Sequence, residues 1–229
     1  MKALFGLAAA ALTLFTAPVL AVGLADLSNK DAVAAMKQAL TKGSQSAVQL
    51  LARQGGFLGN ERVRIPLPES LHKAEGLMRG LGMGNHADEL ITTMNRAAEI
   101  AVVEAKPLLV NAVRNMSVQD AKGILTGGED AATQYFKRSS STALSDKFLP
   151  IVKNATQRVK LTDKYNEFAG KGARFGLINQ EEANLNDYVT RKTLDGLFLM
   201  IAEEEKKIRM DPVGSASSII AKVFGAIGK

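Results

Sequence analysis

The chain of 229 residues contains no cysteine, no tryptophan and only two histidines. Without thiolates it cannot form disulfides, attack a substrate through a cysteine or build a zinc site from cysteine ligands. Neither His72 nor His86 stands in a paired-ligand spacing such as H-E-x-x-H, so the sequence predicts no metal site and no cofactor. Alternating β-branched residues are also nearly absent, apart from a short segment at 63–67, which disfavours a sheet.

The first 21 residues have the anatomy of a cleavable secretory signal. Lys2 is the only charged residue before Asp26, an apolar alanine-rich region follows it, and Pro18 precedes Ala21, after which we expect cleavage. An uncleaved membrane anchor is the alternative, because about 18 apolar residues can just span a bilayer. Alanine makes this run weakly hydrophobic and Pro18 would break the helix, so a signal peptide is favoured. The sequence thus predicts a periplasmic protein whose mature chain is 22–229.

A formal net charge of +6 and a sequence pI near 9.5 are compatible with binding to anionic membrane surfaces or acidic glycans. The Lys and Arg residues form no blocks interleaved with aromatic residues, and no nucleic-acid-binding module is recognisable. We therefore expect no nucleic-acid partner. The simplest interpretation of the charge is a solvated basic surface.

Apolar residues recur at three- and four-residue steps through most of the mature chain, which predicts α-helices. No internal repeat and no low-complexity linker divides the chain. The expected fold class is therefore all-α, an irregular bundle of about eight helices in a single domain over residues 22–229. In detail, Pro107 is expected to kink or split a long helix, Ser139–Ser141 to break another, Thr162 to cap the next, and Gly170–Glu182 to form a loop.

One short motif is shared with serine enzymes, because residues 70–73 (SLHK) match the S-x-x-K of penicillin-recognising proteins. Those enzymes also need S-x-N and K-T-G elements, which residues 145–147 (SDK) and 192–194 (KTL) do not supply. The match is therefore interpreted as coincidence, and Ser70 is not expected to be a nucleophile. The charged run Glu203–Lys207 is interpreted as a solvated helix end.

Three polar side chains, Asn95, Arg96 and Glu99, stand out in an alanine- and methionine-rich helical stretch. Arg96 and Glu99 can pair at i,i+3, and Asn95 can contact Glu99 at i,i+4. Asp195 lies in a run, LDGLFLMI, that is apolar on all sides, so we expect a buried, ionised carboxylate paired with Arg191 and Arg96. A structural ion pair is the simpler interpretation of both groups, and a ligand-binding cluster is the alternative.

Several longer strings are distinctive. They are GGFL at 55–58, VRIPLPE at 63–69, MNRAAE at 94–99, ILTGG at 124–128, DAATQYF at 130–136, PIV at 150–152, YVT at 188–190, LDGLF at 194–198 and IAEEEKKIR at 201–209. These strings resemble those of the bacterial DUF4197 family. The resemblance extends over nearly the whole mature chain. It implies an exported helical protein of Gram-negative bacteria, and it transfers no catalytic residue because the family has no assigned function. The candidate ligand-binding residues within these strings are Arg64, Asn95, Arg96, Glu99, Asp130, Tyr188 and Asp195.

These observations favour a non-catalytic periplasmic binding or scaffold protein that recognises an apolar small molecule or a cell-envelope component. The alternative is an envelope hydrolase that uses paired carboxylates, since pairing in space is not visible in a sequence. A third interpretation is peripheral membrane contact through a C-terminal apolar stripe that includes Ile219, Val223 and Phe224. Docking of this stripe on the protein's own core is favoured, because only Lys222 and Lys229 supply basic charge there.

Overall fold

The computed structural model describes residues 29–82, 84–176 and 178–211. Their α-helices, in chain order, are α1 (Asn29–Ala52), α2 (Glu69–Gly80), α3 (Gly84–Ala101), α4 (Ala105–Arg114), α5 (Val118–Thr126), α6 (Ala131–Thr156), α7 (Lys160–Arg174) and α8 (Leu185–Met210). Short 3-10 helices cover Val102–Glu104 and Gln180–Glu182. These residues contain no strand, which confirms the predicted all-α class.

Helix α3, the first 3-10 turn and α4 follow one another without interruption. If these three are counted as one long helix, the described part of the chain has seven helices, and about eight were predicted. The helix that was predicted to kink or split at Pro107 changes to 3-10 geometry just before that residue and then continues. Pro107 itself lies in the first turn of α4, where a missing backbone N–H removes little because most first-turn N–H groups lack an acceptor within the helix.

Helix α6 is the centre of the bundle. It packs against α8, α3 and α4, and α1 packs against α8 and α4. Fully buried side chains from these helices fill one continuous core, among them Met36, Leu90, Leu109, Phe136 and Phe148. Helices α2 and α7 lie at the periphery, where α2 contacts α3 and α7 contacts α3 and α8.

The segment after α1 is held close to α8 by an aromatic side chain. Phe57 is fully buried, and a Cβ atom added to Gly196 would stand 2.8 Å from its ring and 3.2 Å from Cβ of Val63. Only glycine at position 196 therefore permits this approach. The segment leaves α1 through Gly55, whose φ of +80° strongly favours glycine.

The predicted break at Ser139–Ser141 is wrong, because α6 continues through all three serines. Each hydroxyl donates a hydrogen bond to the main-chain carbonyl four residues earlier, at 2.5–2.8 Å. Serine is unfavourable in helix interiors because its hydroxyl can form hydrogen bonds with backbone groups in non-helical conformations. Here the hydroxyls are satisfied by their own helix, which removes that competition.

Two predictions about α7 are also wrong. The N-cap residue is Val159, and Thr162 lies inside the first turn of the helix. Helix α7 also continues through two of the glycines assigned to a loop, as far as Arg174. The chain turns out of the helix only at Gly176, which has a φ of +69°.

The S-x-x-D pattern at 117–120 predicts a capping box, and this prediction is confirmed. Ser117 Oγ accepts from the backbone N–H of Asp120 at 3.0 Å, and the Asp120 carboxylate accepts from the backbone N–H of Ser117 at 3.0 Å. The hydrogen bonds from the Ser117 hydroxyl and N–H hold the pKa of the Asp120 carboxyl below its usual range. The box fixes the start of α5.

None of the described helices is both long enough and apolar enough to cross a membrane. The predicted signal region, 1–21, and the C-terminal stripe with Ile219, Val223 and Phe224 lie outside the described residues.

Candidate functional site

Five of the seven candidate residues lie in or beside one segment, residues 53–68 between α1 and α2, which we call the anchored loop. They are the exposed Arg64 within the loop, Asn95, Arg96 and Glu99 on α3, and Tyr188 on α8. Three of these side chains, on two different helices, hold the loop by hydrogen bonds to its backbone.

Asn95 is fully buried and joins the middle of the anchored loop to α3. Its side-chain oxygen accepts from the N–H of Ile65 at 2.8 Å, and its NH2 group donates to the carbonyls of Ile65 at 2.9 Å and Ile91 at 2.8 Å. One amide thus pairs with both backbone groups of a buried residue that has no helix or sheet partner. Since both amide hydrogens are used in this way, Asn95 has a structural role.

Glu99, which is 4% exposed, holds the start of the anchored loop. Its Oε1 accepts from the backbone N–H groups of Phe57 and Leu58, each at 3.1 Å. Its Oε2 lies 2.5 Å from a guanidinium nitrogen of Arg96, which confirms the predicted i,i+3 pair. The predicted contact with Asn95 is not a hydrogen bond, because the Asn95 amide binds the backbone instead.

A shallow open depression lies beside the Arg96–Glu99 pair and follows α3 into the 3-10 turn. Its wall includes Gln54, Ile100 and Val103. Ile100 is 58% exposed and Val103 is 51% exposed, so two large apolar side chains face water next to a partly exposed guanidinium. Apolar surface bordered by arginine is a composition found at protein interfaces.

Tyr188 holds the end of the anchored loop. Its hydroxyl donates to the carbonyl of Pro66 at 3.2 Å. Burial, assisted by the negative charge of Glu182, raises the pKa of Tyr188 to about 12, so the phenol remains a protonated donor at neutral pH. The charged groups of Arg191 and Lys192 lie 6.0 Å and 5.8 Å from the centre of its ring.

A second polar cluster lies where α2 begins, and the sequence indicated only one of its members. Ser70 Oγ is 3.0 Å from both Tyr165 Oη and Glu182 Oε2, and the Tyr165 hydroxyl donates to the Glu182 carbonyl at 2.6 Å. The Glu182 carboxylate also accepts from the N–H groups of Glu69 at 3.3 Å and Ser70 at 3.2 Å. Because the N-cap residue Pro68 offers no side-chain acceptor, Glu182 caps α2 from a distant part of the chain.

The described side chains do not give Ser70 the surroundings of an activated nucleophile. A histidine that serves as general base must lie beside the hydroxyl, and the ring of His72 is instead hydrogen-bonded to the Leu67 carbonyl at 3.0 Å. The carboxylate beside Ser70 already accepts two backbone hydrogen bonds. The side chain of Lys73 lies outside the described part of the structure.

A third carboxylate corrects the interpretation of residues 203–207 as a solvated helix end. Glu205 is 7% exposed and accepts from the N–H of Ala132 at 3.0 Å and from the N–H and hydroxyl of Thr133, each at 2.9 Å. Arg209 binds the same carboxylate at 2.8 Å. The N-cap residue of α6, Asp130, makes no capping hydrogen bond with its side chain, so Glu205 caps this helix from α8.

Two candidate residues lie away from the anchored loop. Asp130 is exposed and accepts from Gln134 at 2.8 Å. Asp195 is exposed on α8, and no cation among the described residues lies within salt-bridge distance of it. The prediction of a buried, ion-paired Asp195 is therefore wrong. Its apolar run leaves one stripe of α8 at the surface, where Leu199, four residues on, is also 38% exposed.

The described residues contain no group of three or more His, Asp or Glu side chains that could hold a metal ion. An apolar crevice between α1, α6 and α8 is lined by residues that include Met36, Phe136 and Ile208. It has room for about 20 Å³, which is close to one water molecule. This crevice is therefore too small for an apolar ligand.

The family described as a protein of unknown function (DUF4197) matches residues 26–225 of the chain. No curated protein and no solved structure matches it. The matched range contains every described helix, the anchored loop and the three carboxylates of Glu99, Glu182 and Glu205. The chain therefore belongs to the DUF4197 family.

Proposed function

We propose that this protein is a non-catalytic binding or scaffold protein of the cell envelope. The observation that carries the proposal is the use made of three of its buried or half-buried carboxylates. Glu99, Glu182 and Glu205 each accept hydrogen bonds from two consecutive backbone N–H groups. A hydrolase of the alternative type needs two carboxylates that face a substrate. These three are occupied in holding the fold, so none of them is available as a member of such a pair.

The surface beside the anchored loop supports docking of an envelope component. Ile100 and Val103 are more than half exposed there, and the guanidinium of Arg96 supplies a donor at the edge. A preformed pocket for a small apolar molecule would enclose most of its ligand. The apolar crevice of about 20 Å³ cannot do so, which favours a surface partner over an apolar small molecule.

The proposal includes export to the periplasm. It is supported by the order of charge, apolar region, proline and small residue in residues 1–21.

Native mass spectrometry of the protein purified from its own periplasm tests both parts of the proposal. We expect the mass of residues 22–229 and a second species that carries a component lost on denaturation. Replacing Ile100 and Val103 together by aspartate should abolish the second species, because two charges would stand in the docking surface. Val118→Asp is the matched control, since Val118 is 52% exposed and lies on α5, outside the depression. A retained leader would contradict cleavage after Ala21, absence of the protein from the periplasm would contradict export, and a second species unaffected by the double change would contradict this docking surface.

Ser70 is expected not to react with a fluorescent β-lactam or a fluorophosphonate. Its hydroxyl contacts Tyr165 and a carboxylate engaged by the start of α2, and the other motifs of penicillin-recognising enzymes are missing. In-gel fluorescence of the labelled mature chain provides the measurement, with Ser70→Ala as the control. Labelling that is present in the native protein and absent from Ser70→Ala would contradict the non-catalytic binding role and support a hydrolase.

A further inference from the structure

A polar depression of about 300 Å³ lies where the end of α6 meets the first turns of α7 and α8. Its size is at the lower end of the range for small-molecule pockets, about 300–1,000 Å³. All but one of its lining residues are polar, and the exception is Leu149. None of the candidate residues from the sequence lies in it, and neither do Glu182 and Glu205.

Thr162 gives the first indication that this depression receives a ligand. It lines the depression, is 1% exposed, and its hydroxyl has no hydrogen-bond partner among the described residues. Buried hydroxyls nearly always have a partner, and leaving one without a partner costs about 1–3 kcal/mol. Two other buried threonines follow the rule, since Thr133 and Thr156 both donate, whereas the hydroxyl of buried Thr190, which does not line this depression, also has no partner among the described residues. The fold therefore leaves a polar group at this wall for which a ligand can provide the partner.

Two asparagine amides are held in fixed orientations around the same depression. The oxygen of Asn166 accepts from the N–H of Leu185 at 2.7 Å, and the oxygen of Asn184 accepts from the N–H groups of Asn186 and Asp187 at 2.8 Å and 3.3 Å. These bonds assign the oxygen end of each amide to the backbone. The NH2 ends have no partner among the described residues and remain donors.

The charges on the wall select among ligand classes. Asp163 and Asp187 place two exposed carboxylates there against one ammonium group, that of Lys153. An anion would be repelled by the two carboxylates. For a metal ion the wall offers only two carboxylates, since the described residues contain no group of three or more acidic or histidine side chains that could hold one and the oxygens of Asn166 and Asn184 are engaged by the backbone. An organic ammonium group only donates and would leave the amide NH2 groups without an acceptor. The class that fits both kinds of group is a neutral molecule that donates to carboxylates and accepts from amides.

We propose that this depression binds a neutral carbohydrate. Each sugar hydroxyl is both a donor and an acceptor, which matches amide NH2 groups alternating with carboxylate oxygens. The side chain of Leu149 offers an apolar contact for the C–H face of a ring. The proposal adds a ligand class to the proposed binding role, at a site separate from the surface beside the anchored loop.

Titration of the ¹⁵N-labelled mature chain with glucose, galactose and N-acetylglucosamine, each alone, tests the proposal by NMR. We expect saturable shifts of the side-chain NH2 signals of Asn166 and Asn184 with at least one sugar. Thr162→Val should weaken that binding about tenfold, the loss of one good hydrogen bond. The same variant should unfold at an equal or higher urea concentration than the native protein without sugar, because it removes an unpaired buried hydroxyl. Thr142→Val, at an exposed position of α6, is the matched control.

Three results would overturn the proposal. The first is the absence of a saturable shift with any of the three sugars, and the second is a shift with inorganic phosphate in place of sugar. The third is lower stability of Thr162→Val without ligand, because that would show that the hydroxyl already has a partner. A failure here leaves the proposed binding role testable by itself, since a component retained in native mass spectrometry and lost with the Ile100 and Val103 changes reports on a different surface.

Discussion

Replacing Glu205 by glutamine is expected to lower the free energy of unfolding by about 3–5 kcal/mol. Glutamine keeps the shape but replaces one carboxylate oxygen by an NH2 group, so a donor would face the N–H of either Ala132 or Thr133. It would also remove the counter-charge of Arg209, whose side chain is only 18% exposed. For a chain of this size such a loss corresponds to a melting temperature lower by roughly 10 °C.

Urea unfolding and amide hydrogen exchange measure this effect, and Glu204→Gln is the matched control. Glu204 is the adjacent residue, and its ion pair is with Lys207, which is 62% exposed, so that change should cost less than about 1 kcal/mol. In Glu205→Gln the amides of Ala132 and Thr133 should exchange faster relative to the rest of α6. Equal stability of the two variants would show that Glu205 is not the cap of α6.

Asn95→Asp is expected to destabilise the protein by roughly 3–5 kcal/mol at neutral pH. The change places a carboxylate in a fully buried site, opposite the carbonyl oxygens of Ile65 and Ile91, which now accept from the amide. Desolvation and these two oxygens raise the pKa of the new carboxyl in the folded state above its unfolded value of about 3.9. The folded variant therefore binds its proton more tightly than the unfolded one.

The sign of the pH dependence follows from this shift. Between the unfolded and the folded pKa, the stability deficit of Asn95→Asp grows by about 1.4 kcal/mol for each unit that the pH rises. Below the unfolded pKa the protonated carboxyl can donate one hydrogen bond, so only about 1–3 kcal/mol of deficit remains. Urea unfolding at a series of pH values measures the difference from the native protein. Asn111→Asp, at an exposed position of α4, should stay within about 0.5 kcal/mol of the native protein throughout. A deficit independent of pH would mean that the carboxyl is not buried.

The helices were predictable because apolar residues repeat along each of them, and that pattern depends only on neighbours in sequence. Which stripe of α8 is buried could not be predicted in this way. Asp195 stands in an apolar run and is exposed, whereas Glu205 stands in a charged run and is buried. Which stripe faces inward is decided by the positions of α1 and α6, which pack against α8. A sequence window around either acid contains no information on those positions.

The candidate site was predictable to the same limited extent. The i,i+3 pair of Arg96 and Glu99 follows from helix geometry and is formed. The backbone groups of the anchored loop that Glu99 and Asn95 bind lie 30 to 42 residues away in sequence, so no local spacing could indicate them. The same applies to the cluster of Ser70, Tyr165 and Glu182, where a two-letter motif indicated the serine for an unrelated reason.

The capping of helices by distant carboxylates has a consequence for the order in which the chain can fold. Glu182 lies 112 residues after Ser70, and Glu205 lies 73 residues after Ala132. A chain that emerges with its N-terminus first therefore forms α2 and α6 with unsatisfied first turns, which fray until the last third of the protein arrives. Closing such long loops is costly in entropy and slows folding. Under the proposed export, this delay would leave the first turns of α2 and α6 unsatisfied during passage across the membrane, and the arrival of the 3-10 turn and α8 would complete both helices.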